Sequence, residues 1–503
     1  MIKKEIAENK KTFIILFVYT ILLLFFCSKM SPLYPFNEWS DINLYFNIGK
    51  SIANGKILYV DAFDHKGPLI FFIYGIGYLI SNTSFLGMYI IEGIMWTFLV
   101  YAGYLTARLY LDKLYAFAIA LIFPLFVLSH SSEGGSAEEF IIIFESISLL
   151  LFLSYFKGKN NSIHKPAYML IHGIMCAATI LIKINLIVFW AFPLLAVFIS
   201  IFKNKEYRNL IQNIVAYITG LMVLILPVII YFIYNNALSE AWDSYIVLNS
   251  SYAKLENISQ IVENLVVRFY QRLRFETFEY LIILIGVFYF PIKYIKNTLG
   301  KIAIILSFIA LHIVIFMSPN YVFYYSIPYY IFSLLGCIAI AGLISKYLKL
   351  QPKWYYFTLF FVFASLIGVK EKDFFGTSKA VLLREQKPDG LIFQFSDIII
   401  KEKDPTLLNL SLDLGNGVFT KANIMPNVKY FISPNLPHSI YPEMRDEQTK
   451  YIENKQVQFI ILSEFSFNFD YFHNLPALND NYTIIDRYVE HETKTYYLYK
   501  RKD

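Results

Sequence analysis

The chain has little charge and very few cysteines for its length. Of its 503 residues only 16% are charged and three are cysteines, whereas a soluble protein carries about 25% charged residues. Cys27, Cys176 and Cys337 all lie inside apolar runs, without a CxxC pair or a histidine at a metal-ligand spacing. We therefore expect buried thiols, and we expect neither a disulfide framework nor a zinc site.

The chain is instead rich in long apolar runs. Hydrophobic residues make up 57% of the chain, and the mean hydropathy is +0.49. Apolar runs of roughly 18 or more residues recur from Thr12 to about Val369, which is typical of transmembrane helices. No small-residue cleavage site follows the first run, so we expect a retained span rather than a signal peptide. The net charge of +6 then indicates membrane topology rather than nucleic-acid binding.

The positions of lysine and arginine predict the topology. Four lysines precede the first span, which places the N-terminus in the cytoplasm. The run from Gly67 to Ile80 has only about 14 residues, too few to cross a bilayer, and we interpret it as a juxtamembrane helix. The turns "SSEGGSAEE" and "SPNYVFYY" carry no basic residue and are then outside. We predict about eleven spans, roughly at 12–30, 86–107, 114–130, 138–156, 167–182, 185–202, 211–234, 280–292, 302–318, 326–344 and 354–369.

After Val369 the sequence becomes polar and rich in turn residues. Four short runs, "TLLNLSL", "VQFIILSEF", "YTIIDRYVEH" and "TKTYYLYKRK", are typical of strands, and "MRDEQTKYIENK" is typical of a helix. The predicted fold class is thus a polytopic α-helical membrane protein with an extracytoplasmic α/β domain. We assign 1–369 to the transmembrane module, 31–85 within it to a first outer loop with juxtamembrane helices, and 370–503 to the outer α/β domain.

The first outer loop, "EWSDINLYFNIGKSIANGKILYVDAFDHKGPLIFF", concentrates charge beside the membrane. Ser40 is a candidate N-cap of a helix that ends before Gly55, and Asp41 falls in its first turn, where the helix dipole favours a carboxylate. Asp64, His65 and Lys66 follow near the return to the bilayer. Charges cost more at that depth and tend to be functional, although a solvated loop remains an alternative.

The loop contains a motif that resembles a known superfamily. An acidic residue followed by a glycine turn and Y-x-D-x-x-x-x-K-G-P-L resembles the first extracytoplasmic loop of GT-C integral-membrane glycosyltransferases. The similarity is to bacterial glycosyltransferase family 39, aminoarabinose-transferase-type enzymes and protein O-mannosyltransferases. "HSSEGGSAEEF" at 130–140 is similar to their glycine-rich second outer loop. The residues that carry the first motif are Asp41, Tyr59, Asp61, Lys66, Gly67, Pro68 and Leu69.

The resemblance implies a substrate class. Such enzymes take a sugar from a polyprenyl-phosphate donor at the outer face of the plasma membrane, and the acceptor would be a glycan, a lipid or a protein hydroxyl, with no nucleic acid involved. Many members have two adjacent acids where this chain has Asp41 and Ile42. The resemblance therefore implies no certain cofactor and no metal ligand, and it leaves a divalent metal open.

Each predicted site residue has a chemical role within this hypothesis. Asp41 would be the general base of an inverting transfer, and cations would neutralise the leaving phosphate. The phosphate-binding candidates are Lys66, Lys183, Arg268, Arg272 and Arg274. The substrate-binding candidates are Tyr59, Asp61, His65, Glu133, Glu138, Tyr321 and Tyr324.

Other interpretations of these residues and of the function remain open. The three arginines could belong to an interfacial helix at lipid headgroups, Lys183 could be a snorkelling lysine, and the tyrosines could form an interfacial belt. Glu138 could simply favour a helix start. A membrane polysaccharide polymerase would not need the acidic first loop, and a lipid-linked sugar transporter would carry charges near the midplane.

The topology can be tested by labelling in intact cells. We expect a cysteine placed at Ser132 to react with an impermeant thiol reagent and one placed at Asn161 not to react, because the basic residues flank the second position. Labelling in the opposite sense would invert the predicted orientation.

Overall fold

The computed structural model describes most of the chain, and the span predicted at 354–369 lies outside the described residues. These are 2–158, 162–252, 257–318, 321–347, 372, 374–412, 414–433, 435–490 and 494–502. The chain folds into two compact units. The first comprises Met1–Ser28, Ile91–Val228 and Leu255–Gly376, and the second comprises Lys29–Ile90, Ile229–Lys254 and Thr377–Asp503. The division at 369 and 370 stays a prediction.

Helices dominate both units. In chain order they are α1 Ile2–Cys27, α2 Ser40–Ala53, α3 Pro68–Ile80, α4 Leu86–Arg108, α5 Lys113–Leu128, α6 Ala137–Phe156, α7 Pro166–Lys183, α8 Val188–Lys203, α9 Tyr207–Tyr234, α10 Leu238–Trp242, α11 Leu248–Tyr252, α12 Ile258–Phe275, α13 Thr277–Leu284, α14 Phe290–Tyr294, α15 Thr298–Phe316 and α16 Ile331–Tyr347. The C-terminal helices are α17 Lys379–Leu382, α18 Leu391–Ile399, α19 Gly415–Lys421, α20 Pro442–Glu453, α21 Phe469–His473 and α22 Pro476–Asn481.

Within the described residues, eight helical segments are long and apolar enough to cross a membrane. They are Lys10–Cys27, Leu86–Arg108, Ala137–Phe156, Pro166–Lys203, Tyr207–Tyr234, Thr277–Tyr294, Thr298–Phe316 and Phe323–Tyr347. The 38-residue segment Pro166–Lys203 combines α7 and α8, which a 3-10 turn at Ile184–Ile187 separates. Helices α3 and α5 are shorter apolar helices. The protein is therefore a multi-pass membrane protein, and the total of about eleven spans stays a prediction.

Helices α2 and α3 pack against each other in the second unit. A Cβ atom on Gly49 would lie only 2.5 Å from the backbone nitrogen of Gly75, so only glycine permits this approach. The predicted N-cap was wrong by one residue: Trp39 is the N-cap of α2, and Ser40 is its first residue. Asp41 lies in the first turn as predicted. The left-handed Gly55, with φ of 86°, follows the helix end.

The C-terminal residues of the second unit form a four-stranded sheet. Its strands are β1 Leu407–Asn409, β2 Phe459–Ser463, β3 Tyr482–Glu490 and β4 Lys494–Arg501, in the order β1-β2-β4-β3. Strand β1 runs parallel to β2 with Leu407 opposite Phe459, whereas β4 is antiparallel to both β2 and β3. All residues of β2 are buried, as expected for a central strand. The four predicted strands and the helix predicted at "MRDEQTKYIENK" are confirmed.

Candidate functional site

The first candidate site lies in the second unit, where α2 meets the loop before α3. The Lys66 Nζ atom is 3.9 Å from Asp41 Oδ2 and 4.0 Å from Asp64 Oδ2. Tyr45, one helical turn after Asp41, donates a hydrogen bond to Asp41 Oδ2 over 3.4 Å, and its ring centroid is 5.2 Å from Lys66 Nζ. The structure thus brings together the predicted base and a predicted phosphate-binding lysine. We call Asp41, Tyr45, Asp64, His65 and Lys66 the Asp41 cluster.

Asp64 is a member of this cluster that the sequence-based site prediction missed. It is fully buried, and His65 Nδ1 lies 3.2 Å from its Oδ1 atom. Burial raises the pKa of Asp64, but Lys66 and His65 lower it by more, so the net pKa lies below its usual range. Asp64 is therefore an anion inside the protein. Its position between two predicted site residues, next to His65, is the signal that could have identified it.

Tyr59 and Asp61 shape the loop that carries Lys66. The Tyr59 hydroxyl donates to the Lys66 carbonyl oxygen over 2.6 Å, and Tyr59 has a left-handed backbone with φ of 69°. Burial raises the pKa of Tyr59. Asp61 Oδ2 accepts a hydrogen bond of 2.7 Å from the Ile57 backbone amide and so closes a turn. The predicted substrate contacts of Tyr59, Asp61 and His65 stay predictions.

A second cluster in the first unit surrounds Arg272. Arg272 is buried, donates to Glu276 and Tyr321, and donates over 3.0 Å to the Tyr330 hydroxyl. Tyr330 donates to Glu276 Oε2 over 2.6 Å, and His130 Nε2 lies 3.0 Å from the same oxygen. We call these five residues the Arg272 cluster. Its members come from three chain segments, so the cluster ties the end of α12 to the loop after α5 and to the 321–330 segment.

Electrostatics explain why the Arg272 cluster is stable in a buried place. Burial raises the pKa of Glu276, but the hydrogen bond with His130 and the Arg272 charge lower it to about 2. Burial lowers the pKa of His130. Arg272 and Tyr321 were predicted from the sequence as separate site residues, and Glu276 was not predicted. The spacing of four residues between Arg272 and Glu276 on a helical run was the available signal.

Two further predicted residues contact each other in the first unit. Lys183 Nζ lies 2.7 Å from Glu138 Oε1 and 3.6 Å from the ring centroid of Tyr325. Glu138 is buried in the first turn of α6. The candidate phosphate-binding lysine and the candidate substrate-binding acid thus form an ion pair. Tyr324 packs edge to face on Tyr325, with ring centroids 5.0 Å apart.

The glycine-rich loop before α6 is built from hydrogen bonds. Ser136 caps the helix, and Glu139 reaches back to it in a capping box. Gly134 and Gly135 both have positive φ values. Glu133 lies half-buried beside these glycines, and its ligand role stays a prediction.

Arg268 and Arg274 lie on α12 with their guanidinium groups over aromatic rings, at 4.9 Å from Tyr321 and 5.3 Å from Phe275.

Within the described part of the chain, no three His, Cys, Asp or Glu residues are grouped closely enough to hold a metal ion.

Solved structures of two membrane proteins have a fold similar to that of this chain. ArnT from Cupriavidus metallidurans bound to undecaprenyl phosphate matches with a TM-score of 0.57 and 12% identity, over 96% of this chain and 97% of that chain. Apo ArnT matches with a TM-score of 0.58 and 14% identity over the same shares. AglB from Archaeoglobus fulgidus, solved with an inhibitory peptide and a dolichol-phosphate, has a TM-score of 0.50 and 13% identity over 98% of this chain and 74% of that chain. The chain therefore shares the fold of ArnT and AglB, as the resemblance found in the sequence implied.

A family model also matches most of the sequence. Residues 2–349 match the family of the competence-induced protein Ccs4 N-terminal domain, and the chain belongs to this family. A search of curated protein sequences found no match.

The Arg272 cluster can be tested by the pH dependence of stability. Because the Glu276 pKa is lowered in the folded protein, its stabilisation is complete above the ordinary glutamate pKa and is lost as the pH falls toward about 2. We expect Glu276→Gln to lower the free energy of unfolding at pH 7 by about 1–3 kcal/mol, and to flatten the fall of the melting temperature below about pH 4.5. Glu263→Gln, an exposed change on α12, is the control. Equal pH dependence in both variants would contradict the role of Glu276.

Proposed function

We propose that the protein is a glycosyltransferase that moves a sugar from a polyprenyl-phosphate donor to a hydroxyl group of a cell-envelope glycan, lipid or protein. The observation that carries this proposal is the 3.9 Å approach of Lys66 to Asp41 in a chain with the GT-C fold. A cation for a phosphate and a carboxylate for a proton are the two groups that such a transfer needs. The lipid phosphates bound to ArnT and AglB support a lipid-linked donor.

The Asp41 cluster suits an inverting displacement. Lys66 binds the donor phosphate as a point charge, and the acceptor hydroxyl lies against Asp41. The acceptor oxygen forms a bond to the anomeric carbon while the bond from that carbon to the phosphate oxygen breaks. Asp41 takes the hydroxyl proton, and Lys66 stabilises the charge that develops on the departing polyprenyl phosphate. Attack opposite the leaving group inverts the anomeric configuration.

The chemistry of the donor lipid determines where the proposed site has to lie relative to the bilayer. The phosphate of a polyprenyl lipid lies at headgroup level while its isoprenoid tail stays in the bilayer, so the base has to work at that depth. A helix start beside a juxtamembrane helix provides such a place, and the positive-inside pattern of the sequence supports a location on the outer face of a bacterial plasma membrane. Lys183 and Arg272 already have carboxylate partners at hydrogen-bond distance, so Lys66 is the cation that this proposal assigns to the donor phosphate.

The base is tested by Asp41→Asn, which keeps the shape of the side chain and removes its basicity. We expect at least about a 10²-fold loss of transfer with donor binding largely retained, because a general base acts in the transition state. Lys66→Ala should weaken donor binding and rate together, because a phosphate contact exists before and during the reaction. Transfer from a defined polyprenyl-phosphate sugar in nanodiscs measures the rate, and donor binding is assayed separately.

Asp397→Asn, an exposed acid in the same unit, controls for the general effect of losing a carboxylate and should transfer at the normal rate. Near-normal turnover of Asp41→Asn would remove Asp41 as the base.

A further inference from the structure

Two histidines near the start of the segment Pro166–Lys203 are buried together in the first unit. His164 is 1% exposed and His172 is 0% exposed, and their ring centroids are 6.1 Å apart. Neither ring nitrogen of His172 has a hydrogen-bond partner among the residues that the structure describes, and the same holds for His164 Nε2. Buried polar atoms without partners cost free energy, so these nitrogens point to a ligand.

Hydrogen bonds hold His164 in one tautomer. Its Nδ1 atom lies 2.7 Å from Asn213 Oδ1. The amide group of Asn213 has a defined orientation, because its Nδ2 atom donates to the carbonyl oxygens of Asn209 over 2.8 Å and of His164 over 3.1 Å. Oδ1 is therefore the acceptor, and the Nδ1 atom of His164 carries the proton. The neutral ring then keeps its lone pair on Nε2.

The backbone of His164 is fixed as well. The His164 amide donates to Asn209 Oδ1 over 2.9 Å, and Asn209 Nδ2 donates to the His164 carbonyl oxygen over 2.9 Å. Asn209 and Asn213 are four residues apart on α9, so one face of this helix positions both the backbone and the ring of His164. A histidine whose other ring nitrogen donates to a fixed oxygen is the usual form of a metal ligand.

Packing holds His172 in place. The residue lies in α7, and its ring stacks on Phe152 of α6 with the ring centroids 3.9 Å apart and an angle of 14° between the planes. Met169, three residues before His172, lies on the same side of α7 and is also fully buried. Two imidazoles and a thioether in apolar surroundings are ligands for a soft metal ion.

The number of ligands decides which metal ion fits. Zn²⁺ in structural sites takes four ligands from Cys, His, Asp and Glu, and in the described part of the chain no third residue of these types is grouped with the two histidines. Cu⁺ is softer and accepts fewer ligands. With a metal–nitrogen bond of about 2 Å and a ring centre roughly 1 Å behind each nitrogen, a metal on the line between two imidazoles separates the ring centroids by about 6 Å. The 6.1 Å between His164 and His172 agrees with this arrangement.

We propose that His164 and His172 bind one Cu⁺ ion through His164 Nε2 and a ring nitrogen of His172, with the Met169 thioether as a further soft ligand. The ion satisfies the buried ring nitrogens and joins the segment before α7 to the helix itself. The apolar surroundings exclude water from the metal. No residue of the Asp41 cluster or the Arg272 cluster takes part, so the site does not depend on the proposed glycosyl transfer.

The site is tested by anaerobic titration of Cu⁺ into the full-length protein in nanodiscs, with bicinchoninate as the competing coloured chelator. We expect the wild-type chain to retain one Cu⁺ ion and to give an X-ray absorption spectrum with two imidazole nitrogens beside the metal. Failure to retain copper against bicinchoninate would overturn the proposal. A spectrum with sulfur neighbours alone would overturn it as well, because the copper would then be bound to cysteine. Both measurements use the unaltered chain, so they do not depend on the folding of any variant.

Two substitutions separate the ligand from the residue that orients it. His172→Phe keeps an aromatic ring against Phe152 and removes the ligand atoms, so we expect it to lose the retained Cu⁺. Asn213→Leu removes the acceptor that fixes the His164 tautomer and should weaken Cu⁺ binding by about 10–100-fold.

His473→Gln changes an exposed histidine of the second unit and is the matched control, with Cu⁺ affinity expected to equal that of the wild type. Added Cu⁺ should raise the melting temperature of the wild type and of this control, because the ion binds the folded chain, and it should leave that of His172→Phe unchanged. Wild-type Cu⁺ affinity in His172→Phe would contradict the assignment of the ligands.

Discussion

Charges beside or inside a bilayer must be compensated within a few ångströms, and both clusters of this protein depend on that constraint. Lys66 lies between two carboxylates, Arg272 contacts Glu276, and Lys183 contacts Glu138. An isolated ion at such positions would cost several kcal/mol, roughly, in lost hydration. Each pair therefore fixes the geometry of the segments that carry it, because separating the partners would expose an uncompensated charge.

Backbone packing sets the geometry of the Asp41 cluster. Asp41 lies at the start of α2, and Lys66 lies two residues before α3, so the distance between them depends on how closely the two helices approach. Gly49 and Gly75 are in direct backbone contact at that crossing. A side chain at either position would push the helices apart. Gly49 and Gly75, which have no side chain to react, thus help to set the distance between Asp41 and Lys66.

The sequence predicted local structure better than it predicted contacts between residues that are distant in the chain. Helical periodicity identified α2 and the first-turn position of Asp41, and turn residues separated the four strands, because these features depend on near neighbours. Charge pairs between distant segments were not predictable. Lys183 and Glu138 are 45 residues apart, and each was assigned a ligand of its own.

A buried acid within a span was also missed. Glu145 lies inside α6 with both carboxyl oxygens lacking a hydrogen-bond partner among the residues that the structure describes. Ionisable groups inside membranes are rarely without function, and Glu145 was not among the site residues predicted from the sequence.

The distances within these pairs also distinguish the predicted phosphate-binding cations. Lys183 is 2.7 Å from Glu138, and Arg272 donates hydrogen bonds to Glu276 and two tyrosines, so a phosphate would have to break existing bonds to reach either. Lys66 is held at 3.9 and 4.0 Å, beyond hydrogen-bond length. The proposed role of Lys66 in binding the donor phosphate therefore rests on its place beside Asp41, the proposed base, rather than on a comparison of ion-pair strengths.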